Sequence, residues 1–149
     1  MKFRMFCAQH SQMAETAQAI IDTLMASVSE RDATGHDALP ALRLELSRCV
    51  ANHCSAEIAL LRDHLKQHPD IAVTHSPLVR RYHDELLAWR GALMECNANW
   101  PAKRIAKDPA AFLAVFRPLV DALHERVRWE EQVFYPQVLG RKVEGRLAA

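Results

Sequence analysis

Glycine is scarce in this chain, at four of 149 residues, while half of the residues are hydrophobic. That balance excludes collagen-like, low-complexity and disordered chains. Long apolar runs are also missing. No stretch of about 18 apolar residues occurs, so no membrane-spanning helix is expected. Near the N-terminus Arg4, Gln9 and His10 interrupt the apolar stretch that a secretory signal requires. Charge of one sign is absent too: 19 Lys and Arg stand against 18 Asp and Glu. No basic face for nucleic acid is implied. Cysteine is limited to Cys7, Cys49, Cys54 and Cys96, with no CxxC pair and no usual zinc spacing. Reduced thiols in a cytoplasmic protein are the expectation. Period-2 runs of β-branched residues do not occur, which predicts an all-α chain. The length suits a single domain over residues 1–149, with a core of about 3–139 and a frayed C-terminal tail.

Histidine is what the chain has in excess, with eight copies. Turn and cap signals divide the sequence into four long segments. The first runs from about Phe3 to Val28 and is followed by a polar loop containing Gly35. The second opens at Pro40 and continues to about Gln67, before His68-Pro69-Asp70. Ser76-Pro77 reads as an N-cap and first helical residue for the third, which extends to about Asn97. The stretch NANWPAKRIAK then reads as a loop. Asp108-Pro109 repeats the cap signal for the fourth, which reaches about Leu139, with kinks expected at Pro118 and Pro136.

Each segment carries a stripe at alternating spacings of three and four, the core-facing side of an amphipathic helix. The first is Phe3, Phe6, His10, Met13, Ala17, Ile20 and Leu24. The second is Leu42, Leu46, Cys49, His53, Glu57 and Leu60. The third is Val79, His83, Leu86 or Leu87, and Met94. The fourth is Phe112, Phe116, Leu119, Leu123, Arg126, Glu130 and Val133. Four such helices with shorter connections predict an antiparallel up-down-up-down four-helix bundle.

Ionisable groups on buried stripes are costly unless paired or bound to metal. At about 1.5 Å of rise per residue, His10, His53, Glu57, His83, Arg126 and Glu130 fall within about two turns of one another. Imidazole and carboxylate together suit iron, zinc, copper or nickel, so His10, His53, Glu57, His83 and Glu130 are the expected metal ligands. Glu131 reads as a solvated neighbour. Cys7 and Cys49 read as small apolar fillers near His10 and His53. The remaining histidines, His36, His64, His68, His75 and His124, read as surface residues.

These residues resemble the hemerythrin-like, or HHE cation-binding, family over about residues 3–139. The family's early first-helix His is matched by His10 in CAQHSQMAE. Its HxxxE is matched by His53 to Glu57, and its third-helix His by His83 in RRYHDELLAW. Its fourth-helix HxxxEE, followed by an apolar pair and proline, is matched by RVRWEEQVFYP except at the first position, where Arg126 stands. Val79 and Leu87 occupy the positions of a further third-helix His. The resemblance implies bound iron, one or two ions, with O2 or NO as ligand. Arg126 cannot ligate a metal. It is expected to stand in for one ion by pairing with Glu57 or Glu130, leaving one ion or none.

Three readings follow. The chain senses or stores iron, oxygen or a related diatomic; or it is a metal-free regulatory module that kept the bundle for contact with a protein partner; or, least supported, it is an oxidase-type enzyme. No membrane or nucleic-acid partner is expected.

Overall fold

The computed structural model describes residues 2–30 and 37–140, without the side chains of 2, 3 and 30. Among the described residues all regular structure is helical. The elements are α1 (Lys2–Glu30), α2 (Leu39–Gln67), α3 (Pro69–Thr74), α4 (Ser76–Asn99), α5 (Ala102–Lys107), α6 (Pro109–Trp129), a π-helical turn (Glu130–Phe134) and α7 (Tyr135–Val138). The stretch NANWPAKRIAK, expected to be a loop, is helical except at Trp100 and Pro101, which join α4 to α5. Phe3, His36 and the tail 141–149 fall outside the described side chains or residues.

Prolines set most of the starts. Pro40, Pro69, Pro77, Pro109 and Pro136 each sit in the first turn of a helix, where a missing N–H costs nothing. Asp108 caps α6, accepting from the Ala111 N–H at 3.0 Å. Ser76, by contrast, is already helical, and His75 precedes it as the cap residue with no side-chain cap bond. Gly140 follows the last helix at φ +67°, the left-handed conformation that ends helices and suits glycine.

Long-range contacts give the helix directions. Arg43 of α2 donates to the Trp100 carbonyl at 2.8 Å, while Tyr82 of α4 donates to Glu57 of α2. Those helices therefore run antiparallel. The Trp89 indole donates to the Leu119 carbonyl at 2.9 Å and Arg126 to the Tyr82 carbonyl at 3.1 Å, which makes α4 and α6 antiparallel as well. Arg117 reaches Met25 Sδ, and His10 reaches Glu131, so α1 and α6 also oppose.

The α1 stripe from Phe6 to Leu24 is buried at every described position. On α6, Phe112, Phe116, Leu123 and Arg126 are buried as well. The α4 face is rotated from its expected position. Its buried residues are Tyr82, Leu86, Trp89, Leu93 and Cys96, whereas Leu87 and Met94 are exposed.

Candidate metal centre

His10 arrives from the middle of the α1 stripe. His53 and Glu57 stand one turn apart on α2, where i and i+4 share a face. Glu130 follows α6 by one residue, at the mouth of the π-helical turn. All four side chains are nearly inaccessible, between 1% and 4% exposed. Their inner atoms form a chain of short approaches. Glu130 Oε2 lies 3.1 Å from His10 Nε2, His10 Nε2 lies 3.0 Å from His53 Nε2, and His53 Nε2 lies 3.1 Å from Glu57 Oε2. All four atoms fall within 4.8 Å of one another. Bonds of about 2.0–2.2 Å to one central ion imply neighbouring ligand atoms about 2.8–3.1 Å apart in an octahedron and about 3.3–3.6 Å apart in a tetrahedron. Three of the donor pairs already have such a spacing, while His10 Nε2 stands 4.0 Å from Glu57 Oε2.

Each donor is held from behind by a different partner. The His10 Nδ1 meets Glu131 Oε1 at 3.0 Å, and the His53 Nδ1 meets Gln9 Oε1 at 2.9 Å. An acceptor on Nδ1 fixes the N–H there and leaves the Nε2 lone pair for the site. Tyr82 donates to Glu57 Oε1 at 2.5 Å, and Arg126 Nε stands 2.9 Å from Glu130 Oε1. That last contact is an ion pair by distance, without good N–H alignment. Arg126 is also anchored over the Tyr82 ring, 5.0 Å from its centroid. The Oε2 atom of each carboxylate is left facing inward.

Burial and charge shape the protonation. Burial alone would push His10 down, but hydrogen bonds to Glu130 and Glu131 and the charges of Glu130 and Glu57 outweigh it, raising His10 to about 9. For Glu57 burial acts upward, yet the hydrogen bond and charge of His53 and the two tyrosine hydroxyls hold it below the usual carboxylate range. Glu130 goes the other way, pushed up by burial and by Glu57 despite His10 and Arg126. In the metal-free state, the His10 proton therefore occupies the position between nitrogens and carboxylates that a cation would take.

His83, the fifth expected ligand, is not brought into the cluster. It is half-buried beside the Tyr82 ring, and Tyr82 takes the inward position one residue, or about 100° of helix, away. Glu131 corrects the other way: it is 8% exposed and bonded to His10, not solvated. Its burial follows from the π-helical turn. A regular helix would present the Gln132 carbonyl to the Pro136 ring, which has no N–H to offer. Widening the turn before Pro136, with the Tyr135 N–H bonded to the Glu130 carbonyl, relieves this and turns Glu130, Glu131, Phe134 and Tyr135 all inward.

Sequence reasoning missed Gln9, Tyr82 and Tyr135. The spacing Tyr82, Leu86, Trp89, Leu93, Cys96 is a regular four-three-four-three stripe and was the available signal for the first tyrosine. His124 is exposed, and His64 stacks on His68 at 4.4 Å away from the site. Beside the cluster is a cavity of about 10 Å³, whose lining includes His10, His53, Cys54, Trp89, Arg126 and Glu130. That is the room one water centre needs. Cys54, rather than Cys7 or Cys49, borders it, and burial pushes its thiol up to about 11. No family model, curated protein or solved structure matches this chain.

Proposed function

We propose that this chain is a hemerythrin-like metal-binding protein that holds one iron ion through His10, His53, Glu57 and Glu130 in an antiparallel up-down-up-down four-helix bundle. The observation that carries the reading is the double arrangement of the cluster. Four inner donor atoms converge through three successive approaches of 3.0–3.1 Å, and each outer atom is tied to its own partner. Such backing is what orients metal ligands.

Charge supports a single ion. Three buried carboxylates, Glu57, Glu130 and Glu131, face one buried guanidinium. One divalent cation neutralises the difference once His10 gives up its proton, whereas a second would leave excess positive charge beside Arg126. Arg126 pairs with Glu130 rather than Glu57, which places a fixed cation where the resemblance expects a histidine ligand. Iron bound here would supply a redox-active Lewis acid able to take a diatomic such as O2 or NO, and the small cavity beside the cluster is lined by Cys54 and Trp89 as well as by the donors. Sensing or storing iron or that diatomic in the cytoplasm is the function this reading implies.

One observation favours a second reading, a metal-free regulatory or protein-interaction module. With His10 protonated, every inner donor already has a partner inside the cluster. Metal content per chain decides between them. Anaerobic incubation with ferrous iron, removal of excess and elemental analysis should give one ion per chain, and an optical spectrum that changes on exposure to oxygen. Two ions in the unaltered protein would refute the role given to Arg126, and Arg126→His is the variant expected to admit a second. No retained metal would favour the module.

A further inference from the structure

Tyr135 supplies one more oxygen to the inner face of the cluster. Its hydroxyl donates to Glu57 Oε2 and lies 3.4 Å from both His10 Nε2 and Glu130 Oε2. It therefore neighbours three of the four inner donor atoms, hydrogen-bonded to one and at the spacing of a shared coordination shell from the other two. Tyr82 makes an instructive contrast. It holds the outer Glu57 oxygen, Oε1, and so positions a ligand without facing the centre.

The backbone aims Tyr135 at this spot. In a regular α-helix, residues five apart are rotated by about 140°, so Glu130 and Tyr135 would diverge. The π-helical turn closes on five residues, through the Tyr135 N–H and the Glu130 carbonyl, and sets both inward. The ring is fully buried, stacked nearly parallel to His10 at 6.1 Å and tilted against Phe6 at 6.3 Å. It has no room to swing away.

We propose that Tyr135 is a fifth ligand, giving the ion two nitrogens and three oxygens, a hard set that favours ferric iron over zinc. This rests on the metal-binding reading above. On binding, the Oη–H bond breaks, its proton leaves to solvent, and the electron pair it leaves on Oη forms the bond to the ion; nothing is oxidised or reduced.

The test loads the whole chain with ferric iron and compares it with Tyr135→Phe and Tyr82→Phe. The unaltered protein should show an intense visible phenolate-to-ferric band. Tyr135→Phe should lose the band and bind iron about 10–100-fold more weakly, as expected for removing one supporting group from a metal site, and Tyr82→Phe should keep the band. Resonance Raman excitation of the unaltered protein should show phenolate ring modes, which keeps the test valid if Tyr135→Phe does not fold. Iron bound without those modes, or a band unchanged in Tyr135→Phe, overturns the ligand role while sparing the metal site. An unaltered chain that binds no iron overturns both.

Discussion

Two arginines at opposite ends of the helices show how differently this protein uses a buried or half-buried cation. Arg43 closes the end away from the cluster. It donates to the carbonyl of Trp100 and the side chain of Asn97, and lies 5.1 Å over the Phe112 ring. Its partners are a helix C-terminus, the Asn97 amide oxygen and an aromatic face, all neutral. Arg126 instead faces Glu130, whose other oxygen faces His10. The first arginine completes a cap and leaves nothing charged behind it. The second neutralises a carboxylate that also belongs to a site, so its removal alters both stability and binding. What separates the two ends is the partner, a dipole in one case and a buried charge in the other.

The sharpest break in that contrast comes from the apolar end. Phe112→Ala should cost about 3–5 kcal/mol in urea unfolding, the range for a fully buried aromatic, yet leave the iron content of folded protein unchanged. Next, Arg126→Met without metal should cost about 3 kcal/mol, because Glu130 is left buried with only part of its compensation. The matching Arg43→Met should cost about 1–2 kcal/mol, since neutral acceptors at a helix end are lost and the stem packing is kept. Equal costs, measured by chemical unfolding in chelator, would erase the distinction between the two ends.

A smaller effect is the response to pH, which belongs to the polar end. The His10 pKa is raised from the ordinary 6.5 of an unfolded chain to about 9. Its contribution is therefore complete below about pH 6.5 and is lost as pH rises through 9. Metal-free protein should lose stability across that window, and His10→Gln should flatten the profile. Because iron must displace the same proton, loss of the His10 proton alone should raise apparent affinity by about tenfold per pH unit over the same range, and release of the Tyr135 phenol proton to ferric iron by about tenfold more. Smallest of all is His83→Ala, expected to change stability by less than about 0.5 kcal/mol and to leave iron stoichiometry intact. Loss of iron in that variant would restore His83 to the site.

Legibility of these features varied with how redundantly the chain encodes them. The α1 stripe was readable because apolar residues at six positions agree with one face, and only His10 interrupts them. On α4 two stripes one residue apart compete. Val79, His83 and Met94 make one, Tyr82, Leu86, Trp89, Leu93 and Cys96 the other, and a 100° rotation separates them. The larger buried surface of Tyr82 and Trp89 settles it, which no count of polar residues on the stripe could show. The metal reading drew His83 inward because a histidine was expected there. The phenol that took its place acts through Glu57.

The helical class of the described residues, the helix starts at Pro40, Pro77 and Pro109 and the His10, His53, Glu57, Arg126 and Glu130 set were legible in the sequence, because helical period and ring geometry are local properties. Tertiary structure decided which face of α4 looks inward, that Glu131 backs His10, and that Tyr135 reaches the cluster. Those outcomes depend on one wider turn before Pro136 and on how aromatic rings fill the space between helices, and neither is a property of any single segment.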